Sequence, residues 1–184
     1  MSDRVKAALG RARKLLDELA PAPVEKTIWG SPAGKKRLAP RLVKLLPKHR
    51  VYVEPFAGSA AVLFEKEPAE VEGINDAAGE IAKAYQTIQK VTPKTLAALR
   101  SMSWTGDEAT FKKLLDAQPR GELEQLHRFL YLTHFSYGKM RGRTFSPNVQ
   151  GIEAKTIARL EEHAPRLAKV TADSGDSAAA AGRY

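Results

Sequence analysis

The chain of 184 residues contains no cysteine. That absence excludes disulfides, Cys-ligated zinc, iron–sulfur clusters and a thiolate nucleophile. No apolar run approaches the ~20 residues that a membrane-spanning helix needs. Met1 to Leu19 carries charge throughout and lacks the apolar core of a signal peptide. The triple-glycine dinucleotide fingerprint and the Gly-Lys-Ser/Thr phosphate loop are both missing. Acidic residues are in deficit, with 21 Asp+Glu against 30 Lys+Arg and a formal charge of +9. A soluble intracellular protein with a polyanionic partner such as nucleic acid is the expectation. Hydrophobic residues at 43% and charged residues at 28% are those of a folded chain.

The pattern along the chain reads as α/β. Residues 1–24 read as a basic amphipathic helix over Ser2–Ala20, with Val5, Leu9, Ala12, Leu16 and Leu19 on one stripe, followed by a short Pro21-Ala22-Pro23 linker. It suits an appended helix docked on the domain, or a helix for a partner or membrane surface. Lys26 to Arg50 holds eight lysines and arginines and no acid. Within it, Trp29 to Lys35 reads as a loop and Leu38 to Leu46 as a helix. On that helix Lys36, Arg37, Arg41, Lys44 and Lys48 would give a basic face, for DNA backbone or simply for solvent. Val51–Glu54 and Val71–Ile74 read as strands, with Ala60–Glu65 and Gly79–Gln89 as the helices that follow them. Pro93–Arg100, Asp107–Leu115 and Leu123–His134 read as three further helices, and Phe135–Gln150 as a Gly-rich, basic, aromatic hairpin. Ile152–His163 returns to helix and Leu167–Thr171 to strand. Ala172–Tyr184 is small and polar, with no element assigned. His127 and His134 read as packing or surface residues, and Trp104 as core or a stacking surface.

Glu54-Pro55-Phe56-Ala57-Gly58-Ser59 falls at the carboxyl end of the first strand, where an open α/β sheet binds its ligand. An acidic strand end followed by a tight turn suits a cationic, phosphate-free cofactor with an amino-acid moiety. Asp76, at the end of the second strand, is placed to accept hydrogen bonds from a ribose diol. Together these positions describe S-adenosylmethionine better than a nicotinamide cofactor. Plain structural roles suit them too, with Glu54 capping a helix and Asp76 beginning a turn.

Trp29-Gly30-Ser31-Pro32-Ala33-Gly34-Lys35, then Glu54 to Ser59, then Ile74-Asn75-Asp76, resembles in order and spacing the Dam-type DNA adenine-N6 methyltransferase family. The resemblance runs from about Trp29 onward and implies a partial Rossmann-like SAM-dependent methyltransferase sheet. A mainly helical DNA-recognition subdomain over 91–150 would interrupt a core made of 25–90 and 151–184. It implies S-adenosylmethionine as cofactor, bound by Trp29, Gly34, Lys35, Glu54, Phe56, Ala57, Gly58, Asp76 and Asp176. Glu54 would lie near the methionine ammonium, Asp76 on the ribose and Asp176 at the cofactor adenine. An aromatic residue usually follows that last acid in the family, and here Ser177 follows. Tyr137, Lys139, Arg141, Arg143 and Asn148 of the hairpin would meet double-stranded DNA. No metal or membrane is implied, and the setting would be cytoplasmic, bacterial or phage-encoded, as in restriction–modification.

The family's catalytic Asp-Pro-Pro-Tyr is absent, since no Pro-Pro pair occurs in the sequence. That motif's polar groups accept the hydrogens of the adenine amine, and its aromatic stacks on the flipped base. No catalytic residue is therefore identified. The expectation is a methyltransferase truncated before its catalytic strand and inactive alone. The alternatives are a catalytically dead SAM- or DNA-binding protein, or one half of a split enzyme whose second chain supplies the missing strands.

Overall fold

The computed structural model describes residues 27–147 and 152–184, so the expected N-terminal helix and Asn148 lie outside the described residues. The elements in chain order are α1 (Ala39–Leu45), β1 (Val51–Glu54), α2 (Ala61–Glu65), β2 (Val71–Asn75) and α3 (Gly79–Ile88). They continue with α4 (Pro93–Ser101), α5 (Glu108–Asp116), α6 (Glu122–Phe135), a short 3-10 turn (Tyr137–Lys139), α7 (Ile152–Leu167), β3 (Val170–Asp173) and α8 (Ser177–Ala181). The result is a mixed α/β fold around a three-stranded parallel sheet in the order β1-β2-β3.

The register aligns Glu54 with Ile74 and Ala172, so the three carboxyl ends lie side by side. Alternation puts Ile74, Val170 and Ala172 on one face, where they join Leu63, Tyr85, Ile88, Leu160 and Leu167 in the main core. Leu96 and Leu99 of α4 and Leu126, Phe129 and Leu130 of α6 extend that same core. A second cluster of Phe111, Tyr131, Leu132, Phe135 and Ile152 packs the far ends of the helices. On the opposite sheet face the ring of Tyr184 lies over Gly73, where a Cβ would come within 2.6 Å of the tyrosine hydroxyl. A larger residue at 73 would displace it.

Local chemistry sets the helix starts. Thr92 and Thr95 form a reciprocal capping box at α4, and Asp107 accepts from the Thr110 amide at α5. Two expectations are corrected here. The helix expected to stop at His163 runs on to Leu167 through Pro165, and the strand starts at Val170 rather than Leu167. Buried Leu167, together with the Arg166–Glu72 pair, holds this last turn despite the missing proline N–H. The final stretch also holds an element, α8, because Asp176 caps it by accepting from the Ala179 amide and alanines follow.

His127 and His134 are both buried in helix packing, and Trp104 is half-buried with its edge against His127. The Trp104 indole donates to Leu99 O at 3.0 Å. Burial lowers the pKa of His127 and pushes that of His134 down to about 3, where Lys139 and Arg159 add to the effect. Unfolded histidine titrates near ~6.5, so below that pH the unfolded chain holds more protons. Stability is therefore expected to fall as pH drops below about 6.5, by up to roughly 1.4 kcal/mol per pH unit for each histidine. Melting temperatures from pH 7.5 to 5 check this. His134→Gln should flatten the slope, and an unchanged slope would remove His134 from the account.

Candidate functional site

Of the residues expected to bind a cofactor, Glu54 to Gly58 and Asp76 lie at the carboxyl ends of β1 and β2. Glu54 ends β1 with its side chain buried. Its Oε1 accepts from Tyr52 OH at 2.8 Å and from the Leu63 amide at 2.9 Å, capping α2 from outside the helix. Burial raises the Glu54 pKa against the lowering effect of those two bonds and of Lys35. Lys35 reaches the same turn, 3.4 Å from Phe56 O.

Asp76 closes the turn from the second strand. Its Oδ2 accepts from the Gly58 amide at 2.8 Å, and its Oδ1 from the Ala78 amide at 3.0 Å. Gly58 has φ +50, and a Cβ there would sit 3.3 Å from Ser31 Oγ, so glycine serves both the backbone and the close loop approach. Gly58 O in turn accepts from Tyr85 OH at 3.1 Å. Both structural roles open to Glu54 and Asp76 are thus filled.

Asn75, within the Ile74-Asn75-Asp76 motif, joins these residues. Buried at the end of β2, it donates through Nδ2 to Pro55 O and Gly175 O, both at 3.1 Å, tying the three strand-end loops together. Its Oδ1 and Glu54 Oε2 are buried side-chain oxygens without a hydrogen-bond partner among the described residues. An unpaired buried acceptor costs about 1–3 kcal/mol. A ligand bringing ammonium or hydroxyl donors to these strand ends would relieve that cost, and S-adenosylmethionine carries both.

The other expected cofactor residues divide around the Pro55–Gly58 turn. Trp29 and Gly58 border a cavity of about 350 Å³ whose far wall is Lys139 to Arg143. Lys35, Glu54 and the exposed Phe56 border an apolar trough of about 400 Å³ beside α1 and the outer edge of β1. Trp29 itself is buried against Tyr85 and Phe129, so its ring belongs to the core as well as to the cavity. Ala57 is buried, and its amide donates to Asn75 O at 2.8 Å. Gly34 lies in an exposed turn, its amide donating to Ser31 O. Asp176 is exposed and engaged as the α8 cap.

The basic hairpin is pinned by a Ser136–Phe145 bridge and by left-handed Gly138, Lys139 and Gly142. Tyr137 and Arg143 are exposed. Lys139 is half-buried, donates to His134 O at 3.2 Å, and has its pKa lowered by burial and by Arg159. Arg141 turns inward onto Glu80 and the face of Phe129. No local signal marks Glu80, because its partner lies 61 positions along the chain.

No helix among the described residues is long and apolar enough to cross a membrane. Residues 32–167 match the family model of D12 class N6 adenine-specific DNA methyltransferases. No curated protein matches the chain.

Proposed function

The chain belongs to the D12 class N6 adenine-specific DNA methyltransferase family, and from that premise we propose that it binds S-adenosylmethionine at the ends of β1 and β2 and duplex DNA through its hairpin. The observation that carries the reading is the pair of unpartnered buried oxygens, Glu54 Oε2 and Asn75 Oδ1, at adjacent strand ends. In this reading Glu54 meets the cofactor ammonium and Asp76 its ribose hydroxyls, while Asp76 keeps the Gly58 turn in shape. The cofactor, when bound, supplies a methyl group on a sulfonium. Residues 25–90 and 151–184 act as a Rossmann-like cofactor core and 91–150 as the recognition subdomain.

Transfer to adenine N6 also needs groups that hold the flipped base and accept its amine hydrogens. The sequence has no Asp-Pro-Pro-Tyr, and no residue of these 184 is assigned to holding the base or accepting those hydrogens. The outer edge of β1 is where such residues fit. The trough beside it is lined by Leu42, Leu45, Leu46 and Val53, and Leu45 is 79% exposed. That apolar edge favours a second reading, in which another chain supplies the missing strand and completes a split enzyme.

Duplex binding tests the DNA half of the proposal. Arg143→Ala is expected to weaken binding to mixed-sequence duplex and to lower the slope of log affinity against log salt by about 1. Fluorescence anisotropy between 50 and 200 mM salt, as approximate limits, measures both. Unchanged affinity and slope would take the hairpin off the DNA.

A further inference from the structure

Arg141, like Lys139, is a hairpin cation turned inward. Its Nη2 and Nε both donate to Glu80 Oε1, at 2.8 and 3.1 Å, and its guanidinium lies 4.3 Å from the Phe129 ring centroid. Only 19% of the side chain is exposed. Glu80 sits in the first turn of α3, directly after the Asp76 turn. The same helix carries Tyr85, whose hydroxyl holds Gly58 O, and Ile81, which lines the cavity that the hairpin walls. Beside Arg141, Lys139 lays its stem over Gly30, where a Cβ would come 3.2 Å from Lys139 Cγ. One short helix therefore grips the Gly58 turn at one point and the hairpin at another.

We propose that the Arg141–Glu80 pair, seated on Phe129, is a positioning clamp that couples occupancy of the cofactor site to the placement of the hairpin on duplex DNA. The inference rests on the reading of the strand ends as the cofactor site and of the hairpin as the DNA contact. Arg141 is a positioning residue here, since its Nε and Nη2 are both engaged by Glu80 within the protein. A cofactor pressing on the Gly58 turn stiffens α3 through Tyr85, and α3 fixes the hairpin through Glu80. Duplex then meets a hairpin already ordered, which tightens its binding. Linkage requires the same factor in the reverse direction, so duplex tightens the cofactor equally.

The test is duplex affinity with and without saturating S-adenosylhomocysteine, a non-reactive probe of the cofactor site. Wild type should bind duplex about tenfold tighter with the probe, within the usual range of such couplings. Glu80→Gln and Arg141→Met should reduce that ratio to less than about twofold, and Glu80→Arg with Arg141→Glu should restore most of it. Calorimetry with the probe alone confirms that each variant is folded and binds. A full ratio in Glu80→Gln, or a reduced ratio that the charge exchange fails to restore, overturns the clamp. Failure of wild type to bind the probe at all would instead overturn the cofactor reading, and the clamp with it.

Discussion

Glu54→Gln is expected to weaken S-adenosylmethionine binding by roughly 30- to 100-fold while leaving the fold intact. Oε1 has structural partners, Tyr52 OH and the Leu63 amide, and a glutamine oxygen can accept from both. Oε2 has none, and burial raises the pKa of the group. The sign follows from that direction. A carboxyl whose folded pKa is raised costs stability once pH rises through the folded value, so ionised Glu54 burdens the empty protein at neutral pH. Neutral glutamine removes that burden and should hold or raise the melting temperature. What it loses is the charge-assisted bond to a cation, worth about 2–3 kcal/mol. Calorimetry and thermal melts on the same variant separate the two effects. A variant that binds the cofactor as wild type does would make Glu54 a helix cap and nothing more.

Glu72→Ala should cost a large part of the fold's stability, about 3–5 kcal/mol. Glu72 and Lys66 are almost wholly buried, with Lys66 Nζ 2.6 Å from Glu72 Oε1. Arg166 forks onto the same carboxylate through Nη1 and Nη2, and Nη2 also donates to Leu63 O. Burial by itself would raise the Glu72 pKa, yet Arg166 and Lys66 outweigh it, and the net shift is downward. Such a group stabilises the fold above its unfolded value near ~4.3 and stops doing so as pH falls through the depressed folded value. Removing the carboxylate strands the Lys66 ammonium against the Tyr52 ring and Glu67 O. An uncompensated buried charge costs about 3–5 kcal/mol, which for a chain of this size lowers the melting temperature by roughly 6–20 °C. Lys66→Met, Glu72→Leu and Arg166→Met together should recover most of that loss, because no unpaired charge then remains. A triple variant as unstable as Glu72→Ala would mean that packing, and not charge, sets the cost.

The first two strands and their turns were the most legible part of the sequence. Val51–Glu54 stands where its apolar run placed it, and β2 extends one residue further, to Asn75. These signals are local, with short apolar runs meeting turn residues. The boundary between α7 and β3 was less legible, since Pro165 reads as a helix stop. The contacts that carry the last turn past it, Arg166 to Glu72 and buried Leu167, are tertiary. For α8 the signal was present in Asp176 followed by alanines, but small residues there read as polar coil.

The candidate site divides along the same line. Glu54, Gly58 and Asp76 stand in motifs whose spacing brings them together, and the structure joins Asp76 to Gly58 directly. Glu80 and Arg141 meet across 61 positions, and Asn75 reaches Gly175 across 100. Nothing local to those residues announces the pairing. Arg141 shows the limit most clearly, because a basic loop predicts outward charges and two of its cations, Arg141 and Lys139, are turned inward.

Titrating S-adenosylmethionine into the wild-type chain, by calorimetry with a parallel thermal melt, tests the central claim most directly. The account predicts saturable one-to-one binding. At a hundred times Kd it also predicts stabilisation of about 2.7 kcal/mol, which is a rise of roughly 5–11 °C in melting temperature. A folded chain that takes up no cofactor and melts at the same temperature throughout would contradict it.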